Sequence, residues 1–244
     1  MRSVDRRLGR HRSPCQQRKK ESQDMTRFDI YEHAFPHAKL TRSAEGILEV
    51  VLHTVGDTLV FNGRAHKEFD ELFYQIAEDA ENRVVILTAA RDDFIDCIDP
   101  AGFDFFTPRG YDKIYREGRK VLANLLDISV PVIAAVNGPA VHSEYVLLCD
   151  IVIATPDTVF QDKPHFGVGI VPGGDIQSLW PHVIGSPRGR CFVVAQHRLS
   201  AEEAKTLGVV DEIVSRERLL GRAREIAAAI AKLPPLTAAL RAWI

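Results

Sequence analysis

The chain has 244 residues, 45% hydrophobic and 26% charged, which is enough for one domain with an ample core. Its formal charge of −2 gives no general electrostatic case for nucleic acid, and no apolar run approaches the length of a membrane span. Four scattered cysteines, Cys15, Cys97, Cys149 and Cys191, form no C-x-x-C pair, which argues against a zinc site or a disulfide framework and fits a reducing cytoplasm.

Charge is uneven along the chain. Residues 1–24 hold eight Arg or Lys against three Asp or Glu, with almost no apolar residue. Such a composition cannot build a core, and it lacks the apolar stretch of a secretory signal. Residues 1–26 therefore read as a basic, disordered extension, with a polyanion-binding arm as the alternative. Ordered structure is expected from Phe28. Residues 47–53 (ILEVVLH) form an apolar strand, followed by a turn at Gly56 and Asp57. Residues 64–79 repeat Phe69, Leu72, Phe73, Ile76 and Ala77 at helical period. Residues 84–88 (VVILT) form a short continuous apolar strand of the kind buried on both faces.

A second helix over 112–126 gathers Ile114, Val121, Leu122 and Leu125 on one side. Residues 130–136 (VPVIAAV) and 151–154 (IVIA) are two more buried strands. Ser200 and Glu203 form a capping box for a helix over 200–207, with Gly208 as its stop. Residues 216–233 make a long Ala-rich helix ended by Pro234 and Pro235, and 236–244 read as the first turns of a further helix. The order β-α-β-α-β-(turn-helix)-β-α-α predicts α/β layering with right-handed crossovers.

The stretch 137–175, NGPAVHSEYVLLCDIVIATPDTVFQDKPHFGVGIVPGGD, sets His142 and His165 near the ends of buried strands. Strand ends entering turns present N–H groups and side chains to ligands, and a neutral imidazole in a cleft moves protons near neutral pH. An enzyme is the leading reading. No His, Cys and Asp cluster has ligand spacing, so neither a metal nor another cofactor is expected.

Three blocks carry a family pattern: VVILTAARDDFIDCIDPAGF, VPVIAAVNGPAVHSEYVLLCDIVIA and TVFQDKPHFGVGIVPGGD. With the later S-A-E-E-A and G-V-V-D-E-I-V segments, they resemble the crotonase (enoyl-CoA hydratase/isomerase) superfamily over about residues 45–233. Finer strings resemble the 6-oxocamphor hydrolase group of β-diketone hydrolases more than true hydratases. These are VILT, Thr107 with Pro108, VPVIAAVNGP, His142 followed by Glu144, FQDKPHF and WPHVIGSPRGR. The resemblance implies a ββα superhelix (spiral) core over 27–233, with the C-terminal helices truncated after their start at 234–244. It also implies a small-molecule substrate, either a β-diketone or an acyl-CoA, and assembly as a homotrimer or hexamer.

The same resemblance implies the site. Backbone N–H groups of Ile98 and Val141 form an oxyanion hole. His142 replaces part of a glycine-rich turn, and His165 stands where hydratases keep a second carboxylate. Asp175, one residue out of register with that group's aspartate, is the expected partner of His165; a turn-forming role is open to it. Glu144 matches a hydratase catalytic position, with helix capping as its other reading. Phe61 and His66 fall where diketone hydrolases line the pocket, with a surface role as the other reading of His66, and Phe103 is a pocket wall or a core residue. Asp99 and Asp162 read as turn or cap residues. The implied reaction is retro-Claisen cleavage of a cyclic β-diketone by His-assisted water attack. The alternatives are an enoyl-CoA hydratase or isomerase using Glu144, and a non-catalytic binding or assembly subunit of the same fold.

Overall fold

A computed structural model describes residues 26–171 and 176–234. The basic extension up to residue 25, Asp175 and the segment 236–244 lie outside the described residues. A short helix α1 (Arg27–Tyr31) and strand β1 (Ala38–Arg42) lead into a repeating unit of long strand, short strand and helix. The first turn of this spiral is β2 (Ile47–Leu52), β3 (Val60–Phe61) and α2 (Gly63–Ala77). The second is β4 (Val84–Ala89), β5 (Cys97–Ile98) and α3 (Pro108–Leu126). The third is β6 (Val132–Val136), the bridge residue Ala140 and α4 (Glu144–Leu147). Next come β7 (Ile151–Ala154), β8 (Val159–Phe160), a 3-10 turn at Phe166–Val168, α5 (Ile176–Ile184) and α6 (Ser186–Val194). The described chain closes with β9 (Leu199–Ser200), α7 (Ala201–Thr206), β10 (Glu212–Ile213) and α8 (Arg216–Ala231). The expected α/β spiral is the fold observed.

The main sheet runs in the order β1-β2-β4-β6-β7-β10, antiparallel only between β1 and β2. All residues of β4 and β6 are buried because both sheet faces are covered. On one face Val84, Ile86, Ile133 and Ala135 meet Leu219, Ala223 and Ala227 of α8. On the other, Val85, Leu87, Val132 and Ala134 join the core shared with Phe69, Phe73, Val121 and Leu125 of α2 and α3. The short strands form a second layer in which β3 pairs with β5, Ile95 bridges Ala140, and Ala140 bridges Phe160. The reactive residues hang from this layer.

Several boundaries move for local reasons. Helix α2 starts at Gly63, because the Asn62 side chain accepts from the amides of Arg64 and Ala65. Helix α3 begins four residues before the expected start, capped by Thr107 Oγ1 on the Gly110 amide, with Pro108 in its first turn. The capping box of α7 forms as read, with Gly208 at φ +78° after it. Helices α5 and α6 were not anticipated. Their joint core is Trp180, whose ring stacks on Phe192 at 3.9 Å between centroids.

Candidate active site

A cavity of about 490 Å³ opens between α3, the second layer and the segment after β8. Its polar end is set by the turn after β6. Asn137 Nδ2 donates to the carbonyls of Ala89 and Arg91, at 2.9 and 2.8 Å, tying the end of β6 to the end of β4. Gly138 then passes so close to the neighbouring turn that a Cβ would lie 1.9 Å from the Asp92 carbonyl oxygen. Ala140 donates to Val159 and Val141 to Ile95, at 2.9 and 2.8 Å. The chain so held delivers His142 and Glu144 into the cavity end, while Trp180 Nε1 donates to the buried Ser143 Oγ at 3.1 Å between them.

His142 Nδ1 and Glu144 Oε1 stand in close charged contact, with both side chains buried, but without the geometry of a hydrogen bond. Burial of Glu144 favours the neutral acid. The close contact and charge of His142, with the charge of His165, outweigh it and hold the carboxyl below its ordinary range. Both of its oxygens are buried without a hydrogen-bond partner among the described residues. The His142 ring lies 4.4 Å from Phe61 and 5.5 Å from His165, the two imidazoles standing at 86°.

His165 has its own carboxylate. Its Nδ1 is 2.7 Å from Oδ1 of Asp162, whose side chain is fully buried. Burial lowers the pKa of this imidazole. The Asp162 hydrogen bond and the negative charges of Glu144 and Asp162 outweigh that and raise it above its ordinary value. Gln196, in a left-handed conformation at φ +52°, donates from Nε2 to the Asp162 carbonyl at 3.1 Å and braces the pair.

Other expected residues fall as follows. Phe61, His66, Ile98 and Phe103 all line the cavity. His66 is buried, with Nδ1 3.6 Å from Glu117 Oε2, beyond hydrogen-bond range. Burial first, then the neighbouring imidazoles, push its pKa down to about 4. Ile98 precedes Asp99, whose amide donates to Phe61 at 2.9 Å. Successive strand amides alternate edges, so the Ile98 N–H faces away from β3. Val141 differs from expectation: its amide is committed to Ile95 and is not available to a ligand in this arrangement. Asp175 lies outside the described residues, and Asp162, read from sequence as a turn or cap residue, occupies the Nδ1 side of His165. The i, i+3 spacing of Asp162 and His165 around Pro164 was the available signal. Lys163 and Asp96, paired across the mouth, and Tyr145, whose phenol burial and then Glu144 hold neutral well above the ordinary range, were also missed. Among the described residues, no group of three His, Cys, Asp or Glu is arranged to hold a metal.

Known proteins sharpen this description. The family model for enoyl-CoA hydratase/isomerase matches residues 42–242. The chain belongs to the enoyl-CoA hydratase/isomerase family. Among relatives of this family member, the short-chain-enoyl-CoA hydratase of Clostridium acetobutylicum is 32% identical over 188 residues, 73% of this chain and 69% of that protein. YngF of Bacillus subtilis is 38% identical over 117 residues, and that match spans 47% of this chain and 45% of the relative. Among solved structures, a β-diketone hydrolase of the cyanobacterium Anabaena, bound to (S)-3-oxocyclohexyl acetic acid, is 48% identical with a TM-score of 0.85. That match covers 87% of this chain and 86% of that one.

Proposed function

We propose that this family member hydrolyses a C–C bond of a cyclic β-diketone. The observation that carries the reading is the pairing of Glu144 with His142 while His165, backed by Asp162, faces them across the cavity. A hydratase needs carboxylates free to handle water, whereas here Glu144, although in the lining, is engaged by His142, and Asp162 stands behind His165. The likeness to the Anabaena β-diketone hydrolase supports the same reading.

In this mechanism His165 begins neutral. Water oxygen bonds to one carbonyl carbon as His165 takes one water proton. Negative charge growing on the carbonyl oxygen meets the Ile98 N–H and His142. Each such donor contributes about 3–4 kcal/mol in a dry site. Collapse restores a carbonyl, now a carboxylic acid, and breaks the bond to the carbon between the two ketones. The electron pair leaves as an enolate, and His165 returns its proton to that carbon. The acid keeps the second water proton until it ionises into solvent. Phe61, His66 and Phe103 surround the ring of the substrate.

A test substrate follows from chemistry. Joining the carboxyl carbon of 3-oxocyclohexyl acetic acid to the ring carbon opposite its side chain, with loss of water, gives a bicyclic β-diketone. The full chain is expected to turn this diketone into the keto acid, while H165A loses the activity by a hundredfold or more. A second reading, acyl-CoA hydration by Glu144, is favoured by the presence of that carboxylate in the cavity lining and by the hydratase relative. Brisk hydration of crotonyl-CoA with the diketone untouched would establish it instead. The family pattern also supports assembly as a trimer or a pair of trimers.

A further inference from the structure

The reaction proposed above consumes a neutral diketone and releases a carboxylate, so each turnover creates a charge inside the cavity. The described lining holds one lysine and no arginine: Lys163. Three carboxylates stand nearby, Asp96 and Glu144 in the lining and Asp162 behind His165. A newborn product anion is repelled by all three. Once His165 has given up its proton, the charge of His142 remains engaged by buried Glu144, and Lys163 is the permanent cation of the described lining.

The placement of Lys163 suits that task. It lies two residues before His165, separated from it by Pro164, and so comes from the same wall as the base. Its ammonium pairs with Asp96, which precedes β5 and shares the wall of Ile98. The pair therefore bridges the walls that carry the base and the oxyanion donor. Both side chains are substantially exposed, at 46% and 37%. An ion pair wetted to this degree is held weakly, and its members exchange readily for partners of the same sign.

We propose that Lys163 receives the product carboxylate, and that Asp96 competes for the same ammonium so that the product is released. The inference rests on the diketone-hydrolase reading. No bond is made or broken in the exchange; one carboxylate replaces another on Nζ. A neutral substrate gains little from Lys163, and an anionic product gains a charge-assisted hydrogen bond.

The test uses the full chain, the bicyclic diketone, its keto acid and the methyl ester of that acid as a neutral probe. In the wild type the acid is expected to inhibit about five- to tenfold more tightly than the ester, a margin that shrinks with added salt. K163M removes the margin and raises the ratio of product Ki to diketone KM by the same factor. D96N, lacking the competing charge, widens the margin. Equal inhibition by acid and ester in the wild type overturns the proposal, as does a K163M that moves Ki and KM together, which marks a purely structural ion pair. Should K163M fail to fold, the wild-type margin and D96N still decide. A wild type that does not cleave the diketone removes both readings; one that cleaves it without a margin removes only this one.

Discussion

Two imidazole–carboxylate pairs, His142 with Glu144 and His165 with Asp162, carry the chemistry at the scale of single residues. A base must be neutral, so kcat/KM should rise with pH through the pKa of His165, which lies above its ordinary 6.5. D162N removes a negative charge and weakens the hydrogen bond that Nδ1 of His165 makes. The acid limb should then move to lower pH, and kcat should fall on the order of a hundredfold. Loss of activity with an unmoved limb in a pH-rate profile would reduce Asp162 to scaffolding.

Stability follows two of the cavity imidazoles, His165 and His66, with opposite signs. The raised pKa of His165 means that its pairing stabilises the fold fully below the unfolded value of 6.5, a contribution lost as pH rises through the folded pKa. His66 titrates near 4 when folded and 6.5 when unfolded, so in that window the unfolded chain holds the extra proton. Its effect is to cost stability as pH falls from 6.5 to 4, by about 3 kcal/mol. H66Q, neutral throughout, should flatten this part of the stability–pH curve in urea titrations at pH 7 and 4.5. An identical drop in both proteins would contradict the assignment.

Among the elements, the turn after β6 determines where His142 stands. A Cβ at Gly138 meets the Asp92 carbonyl oxygen at 1.9 Å, and backbone cannot swing aside as a flexible side chain can. G138A should cost about 2–3 kcal/mol of unfolding free energy in a urea titration and lower turnover by moving His142. Full turnover in G138A would show that the turn tolerates displacement.

Much of this architecture was readable from the residues. Strands β4 and β6 are unbroken apolar runs, and α2 keeps a 3.6-residue period, because each buries a face defined by local spacing. Helices α5 and α6 were not readable: Pro181 and Pro187 interrupt the pattern, and what holds the helices is Trp180 packed on Phe192. Two-residue strands such as β3 and β5 are too short to have any period. The same division holds in the site. His142, Glu144 and His165 follow from the family pattern, and Asp162 was within reach at i−3. The Val141 amide gives no local sign that Ile95, far away in sequence, will accept its hydrogen bond.

For the whole molecule, the segments on either side of the cavity leave apolar side chains in water: Phe106, Val168 and Val171 are 94%, 64% and 69% exposed. Exposed apolar side chains of this size favour a covering subunit, which the trimer of the family pattern would supply. Sedimentation should therefore give three or six times the 27.2 kDa chain mass, and a lone chain at working concentration would contradict it.

The most direct measurement is mass spectrometry of the product formed from the bicyclic diketone in heavy-oxygen water, with crotonyl-CoA assayed in parallel. The retro-Claisen account predicts a keto acid with one heavy oxygen incorporated in its carboxylate during turnover, and no hydration of the thioester. Intact diketone beside hydrated crotonyl-CoA would contradict it.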